Sequence, residues 1–159
     1  MAHPAPSPVP EGMSTLTTHI WFNGDGRAAV DFYEKAFGAE VLDIEDGPPE
    51  KPLMHAHLRI GDTDLMLADA WPGSWEQGPR GSSTASLWLF VEDADASYER
   101  AMDAGCEVVT EIMDAFWGDR YGGVKDPYGH CWAIATRKWD LTKDEIEERK
   151  QAWVESRGG

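Results

Sequence analysis

Asp31-Phe32-Tyr33-Glu34-Lys35-Ala36-Phe37-Gly38-Ala39-Glu40-Val41 reads as a helix that stops on a glycine and runs into a strand, and the chain writes it twice. Ala96-Ser97-Tyr98-Glu99-Arg100-Ala101-Met102 repeats the order Tyr, acid, base, Ala, and Gly105-Cys106-Glu107-Val108 repeats the glycine stop and the strand after it. Upstream, Trp21-Phe22-Asn23-Gly24-Asp25 is matched by Trp88-Leu89-Phe90-Val91-Glu92-Asp93; downstream, the Gly61-Asp62 turn is matched by Gly129-His130. Four collinear blocks at an offset of about 67 residues mark a duplicated fold unit.

Periodicity gives the content of one unit. Residues 17–22 are rich in Thr, Ile, Trp and Phe and predict a strand. Residues 27–37 carry Val30, Tyr33 and Phe37 on one helical stripe. Residues 40–45, 53–60 and 63–68 alternate as strands, so the unit is β-α-β-β-β. The second copy reads as strand 85–91, helix 94–103, strand 106–112, a loop near 114–118, a strand near 120–125 and, after the Asp126-Pro127-Tyr128-Gly129 turn, strand 130–136. Thr142-Lys143-Asp144-Glu145 has the spacing of a capping box and predicts a terminal helix to about Ser156. Its few apolar groups, Ile146 and Trp153, suit light packing or packing on another subunit. Tyr33, Phe37 and Tyr98 are expected in the core.

The organisation expected is a disordered arm over 1–13, rich in Pro and Ser, module one over 14–70, a linker over 71–84, module two over 85–138 and a C-terminal helical segment over 139–159. The 159 residues suffice for one domain made of both modules. A formal net charge of −15 repels phosphate backbones and anionic lipid, so neither nucleic acid nor membrane is an expected partner. The two cysteines, Cys106 and Cys131, sit inside predicted strands and read as thiols, which fits a soluble, unexported, cytoplasmic protein. Eight Trp are an excess for this length and point to a thick core or an aromatic binding surface.

Asp31-Phe32-Tyr33, Phe37-Gly38-Ala39-Glu40, His55-Ala56-His57-Leu58-Arg59-Ile60-Gly61-Asp62 and Leu65-Met66-Leu67-Ala68-Asp69 together resemble the vicinal oxygen chelate superfamily, which comprises glyoxalases, bleomycin-resistance proteins and extradiol dioxygenases. Trp117-Gly118-Asp119-Arg120, Asp126-Pro127-Tyr128-Gly129-His130 and Trp132-Ala133-Ile134-Ala135-Thr136 resemble its PhnB-like branch. The resemblance implies an α+β fold of two tandem βαβββ modules forming an open curved sheet, with a C-terminal helix, a ligand cleft between modules and a homodimer. It does not imply one reaction, because the superfamily holds metal-dependent enzymes beside metal-free drug binders.

Metal-dependent members draw ligands from the first and last strand of each module, positions that the repeat locates near His19, Leu65, Ser86 and Ala133. Only His19 is a good donor, whereas a catalytic metal generally needs about three. No cofactor is therefore expected. The alternative metal set is His19 with His57 and Asp69, since alternation sends His55, His57 and Arg59 to one face of strand 53–60; the plainer reading is that the strand histidines are half-exposed.

If His19 faces the cleft, so do Trp21 and, by the repeat, Trp88, flanked by apolar positions such as Leu65 and Ala133. Phe116-Trp117-Gly118-Asp119-Arg120-Tyr121 reads either as a lid, with Arg120 orienting an acidic group, or as a turn braced by an Asp119–Arg120 pair. The ligand-binding set expected is thus His19, Trp21, His57, Asp69, Trp88, Trp117, Arg120 and Tyr121. The leading function is a metal-independent protein that binds a small apolar or aromatic molecule. The alternatives are a divalent-metal lyase, isomerase or dioxygenase, and a structural or regulatory dimeric module without ligand.

Overall fold

The computed structural model describes residues 3–157, so the first two residues of the expected arm and the last two of the C-terminal segment lie outside it. Residues 3–17 form no helix or strand. The elements then run β1 (Thr18–Phe22), α1 (Gly26–Phe37), β2 (Glu40–Asp46), β3 (Leu53–Ile60), β4 (Thr63–Asp69), β5 (Ser86–Phe90), α2 (Ala94–Ala104), β6 (Glu107–Asp114), β7 (Asp119–Lys125), β8 (Cys131–Arg137) and α3 (Lys143–Arg157). They fall into two compact units, the first ending at Pro79 and the second beginning at Arg80. Among the described residues no helix is long and apolar enough to cross a membrane.

The two sheets have the same topology, β1-β4-β3-β2 and β5-β8-β7-β6. In each, the first strand pairs in parallel with the last, and the remaining pairs are antiparallel. A parallel pair needs a crossover, which the helix after the first strand begins. The α+β fold of two tandem βαβββ modules with a C-terminal helix, and no closed barrel, is thus the architecture that the repeat predicts.

Local chemistry sets the element ends. Gly38 takes the left-handed conformation (φ 68°) that ends α1, and the next amide, of Ala39, donates back to the Tyr33 carbonyl at 3.1 Å. The start of α1 has no cap from its own Asp25. Instead Asp69, at the end of β4, accepts from the amides of Gly24 (2.8 Å) and Gly26 (3.0 Å) and supplies a negative charge at the helix N-terminus. At α2, Asp93 caps the Ala96 amide at 3.0 Å. The capping box of α3 is formed: Glu145 Oε2 accepts from the Thr142 amide (2.8 Å), and Thr142 Oγ1 accepts from the Glu145 amide (3.3 Å). The Thr142 amide, and after it the Thr142 hydroxyl that also donates to Oε2 (2.9 Å), hold the Glu145 carboxyl below its usual range.

The core of the first unit lies between α1 and the sheet, where Phe22, Val30, Tyr33, Leu53, Leu58 and Leu67 have no exposed surface. In the second unit Tyr98 of α2 lies against Gly122, where a Cβ would come within 2.7 Å of the Tyr98 ring. Helix α3 buries none of its residues; Trp153 meets Phe116 at 5.6 Å between ring centroids. The segment 71–79, expected within a linker, is tied into the first unit: Asn23 donates through Nδ2 to the Pro79 carbonyl (3.0 Å) and accepts at Oδ1 from the Gly78 amide (3.1 Å).

Candidate functional site

Each sheet has one face against its crossover helix and one face turned away. In the first unit Phe22 contacts Tyr33 of α1 at 6.2 Å, so strand alternation turns its neighbours His19 and Trp21 away from that helix. Their rings lie 4.4 Å apart, with His55 6.2 Å from His19. Trp75 stands edge-on to Trp21 at 6.0 Å and is 83% exposed. The His19 imidazole is held below its ordinary pKa, first by partial desolvation and then by electrostatic interaction with His55 and Lys51, against a smaller opposing effect of Glu76.

His57 shares this face but is separated from His19 by Met66, since β4 runs between β3 and β1 and aligns Met66 with both. Met66 thus stands between the two histidines, and among the described residues no third His, Cys, Asp or Glu joins them to make a metal-holding group. The His57 Nε2 is buried without a hydrogen bond; Asp64 Oδ1 lies 3.4 Å from it but takes its hydrogen bond from Arg59 Nε, at 3.0 Å.

Asp69, expected among the ligand-binding residues, does not reach this face. Asp69 is aligned with Phe22 in the parallel ladder and therefore lies on the helix side. It is fully buried, and its second oxygen accepts from the Leu53 amide at 2.8 Å, so the carboxylate is used up by backbone. Among the described residues no three His, Cys, Asp or Glu side chains are grouped so as to hold a metal, and His19, His57 and Asp69 do not form the alternative metal set. The residues do not fit the ion that some vicinal oxygen chelate proteins carry. Leu65, aligned with Thr18 two pairs before Ile20 and Leu67, likewise packs on the helix side and lines no open face.

In the second unit Gly122 abuts Tyr98 of α2 and pairs with Ile134, which pairs with Leu89. Leu89 therefore faces the helix, and Trp88 faces away from it together with Ala133 and Tyr121. The Trp88 indole stacks on Tyr121, with centroids 5.1 Å apart and planes 7° from parallel. Trp117 closes one side at 6.3 Å from Trp88 and 5.5 Å from Tyr121, held by its Nε1–H donating to Asp119 at 2.8 Å. Trp88 remains 44% exposed and Phe90, beside it at 6.1 Å, 64% exposed. Phe90 was not singled out from the sequence, although alternation from Trp88 reaches it.

Arg120 forks onto Asp95 (Nε 2.9 Å, Nη2 2.7 Å) and reaches Asp114 at 3.4 Å, which holds the Asp95 carboxyl below its usual range. Asp119 serves the Trp117 indole instead. The expected Asp119–Arg120 brace is thus two separate contacts, and the guanidinium points to the start of α2 and not toward the Trp88 rings.

Neither cysteine is in a disulfide. Cys106 is buried, and that burial, with the charge of Asp126 second, pushes its thiol up to about 12. An aromatic disulfide reagent at pH 8 is expected to titrate one thiol per native chain, Cys131, and two in denaturant; two fast thiols in the native chain would contradict the packing around Cys106.

The sequence matches the Glyoxalase/Bleomycin resistance protein/Dioxygenase superfamily over residues 17–134. It is 42% identical over 137 residues to the protein Rv0887c of Mycobacterium tuberculosis, covering 83% of this chain and 79% of that one. Among solved structures, PA1353 from Pseudomonas aeruginosa superposes with a TM-score of 0.64 at 26% identity, covering 79% of this chain and 99% of that one. The PhnB protein from Bacillus cereus shares the fold, with a TM-score of 0.63 at 18% identity over 77% of this chain and 99% of that one. With both sheets, their order and the sequence in agreement, the chain belongs to the Glyoxalase/Bleomycin resistance protein/Dioxygenase superfamily, the vicinal oxygen chelate group that its repeat resembles.

Proposed function

We propose that this chain is a metal-independent small-molecule-binding protein that takes a flat apolar or aromatic ligand against its indole-bearing sheet face. The observation that carries this reading is the Trp88–Tyr121 stack, flanked by Trp117 and Phe90 and still 44% open at Trp88. A rigid aromatic platform loses little side-chain entropy when a ligand lands on it. Each Å² of apolar ligand surface removed from water contributes about 25 cal/mol, and a well-placed ring pair adds about 0.5–1.5 kcal/mol. Covering the exposed Phe90 ring adds to the gain. The side chains at the family's metal positions are poor in donors, so the ligand's own shape and apolar area supply the affinity.

Titration of planar aromatic compounds against the full chain, read by tryptophan fluorescence, tests this. At least one compound is expected to quench and blue-shift the emission, equally with and without chelator. In the Trp88→Ala chain its Kd is expected to rise about tenfold, corresponding to about 1.4 kcal/mol. A broad panel without quenching, or a Trp88→Ala chain that binds as well as the wild type, would sink the reading.

A further inference from the structure

Lys51 is the least expected buried residue of the first unit: a lysine 5% exposed in a chain of net charge −15. It stands in the turn between β2 and β3, in the run Gly47-Pro48-Pro49-Glu50-Lys51-Pro52. The Gly47 amide donates to the Pro52 carbonyl and the Lys51 amide to the Pro48 carbonyl, each at 2.9 Å. A Cβ on Gly47 would lie 2.2 Å from the Lys51 carbonyl oxygen, so the turn closes tightly on a glycine. With three prolines fixing φ, the lysine is presented from a stiff base.

Its ammonium sits 5.2 Å from the centroid of Trp21 and 5.3 Å from that of Trp71, with Glu76 Oε2 at 3.7 Å. Trp21, the Glu76 carboxylate and the backbone that carries Trp71 are each held by contacts other than the lysine. Trp21 comes from β1. Glu76 Oε2 accepts from the Trp71 amide at 3.0 Å and lies 3.4 Å from Ser74 Oγ, and Asn23 fixes the end of the same segment. Two indole faces and a carboxylate around one point are the chemistry that recognises an organic ammonium.

We infer that Trp21, Trp71 and Glu76 form a binding site for organic ammonium ligands, in which Lys51 is the resident occupant that a ligand displaces. A tethered lysine competes at an effective concentration of about millimolar or above, so a small ammonium alone is a weak competitor. The ligand class favoured is therefore an ammonium that carries an apolar or aromatic group, for which the Trp75 ring, 83% exposed beside Trp21, offers the added contact. The net negative charge of the chain draws such cations in. This site lies in the first unit and stands independently of the Trp88–Tyr121 platform, so either reading survives the failure of the other.

The probes are benzyltrimethylammonium and choline, with 3,3-dimethylbutanol as the neutral counterpart of choline. In the full chain carrying Lys51→Ala, both cations are expected to bind at least tenfold tighter than in wild type, while the neutral alcohol does not. The gain should persist in a Trp88→Ala background, which removes the other platform, and should disappear when Trp71→Ala is added. In the wild-type chain, Lys51 should be protected from a water-soluble acylating ester, as read by peptide mass spectrometry, and benzyltrimethylammonium should speed its labelling several-fold. A folded Lys51→Ala chain that takes the cations no better than wild type overturns the inference, as does Lys51 labelling that is indifferent to benzyltrimethylammonium. Should Lys51→Ala fail to fold, the labelling experiment on the wild type decides alone.

Discussion

Replacing Asp69 by alanine is expected to cost the first unit about 4 kcal/mol or more, on the basis of about 1–3 kcal/mol for each buried donor left without an acceptor. Two buried amides lose their partner at once, Gly26 at one oxygen and Leu53 at the other, and the part-buried Gly24 amide loses the same oxygen as Gly26. The residue has no exposed surface, and the Gly26 position is so close that a Cβ there would meet Leu53 at 2.8 Å and the Asp69 oxygen at 3.1 Å, which leaves little room for water to substitute. One carboxylate thus joins the end of β1, the start of α1, the start of β3 and the end of β4. Against a total stability of about 5–15 kcal/mol for a domain, such a loss is large. Asp69→Asn is expected to cost less, because its one oxygen can still serve the Gly24 and Gly26 amides while its NH2 faces the Leu53 N–H. Urea denaturation followed by circular dichroism checks both, and an Asp69→Ala chain within about 1 kcal/mol of wild type would refute this assignment of Asp69 as the unit's internal tie.

How much of this was legible beforehand follows from what each feature depends on. The duplicated topology is legible because it rests on local signals: the Gly38 helix stop, the Thr142–Glu145 capping box and the alternation of β1 and β5. The same alternation places Trp21 and Trp88 on the faces turned away from the helices. The place of Asp69 is not legible, because the parity of β4 relative to β1 is set by strand pairing, and a one-residue difference moves a side chain to the other face. Its partners are backbone amides, which every residue but proline has, so no residue type in the sequence marks them. Leu65 fails for the same reason. The sequence offers Arg120 an acidic ligand group or its neighbour Asp119, while its actual partner Asp95 lies 25 positions away, at the start of α2. Nothing local marks Lys51, because a lysine in a proline-rich turn ordinarily reaches water; the two indoles that enclose it come from β1 and from residue 71.

Removing the Asp126 carboxylate is expected to do in the second unit what the loss of Asp69 does in the first, through different chemistry. Asp126 is 2% exposed and opens the turn before β8. Its Oδ1 accepts from the amides of Tyr128 and His130, both at 3.0 Å, and its Oδ2 accepts from the Trp132 indole N–H at 2.9 Å. His130 and Trp132 are themselves buried, so Asp126→Ala leaves at least two donors without this acceptor in a dry site. A loss of about 3–4 kcal/mol is expected at about 1–3 kcal/mol per orphaned donor. Trp132→Phe removes the indole donor and keeps the turn amides satisfied, so the double variant should lose less than the sum of the two single ones. The charge also acts on Cys106, whose raised thiol owes its second contribution to Asp126. In a folded Asp126→Asn chain that thiol should titrate below about 12, with burial still keeping it above an ordinary cysteine. Additive losses in the Asp126 and Trp132 pair would show that the two side chains do not act together, and an unmoved Cys106 titration would show that residue 126 does not act on the thiol.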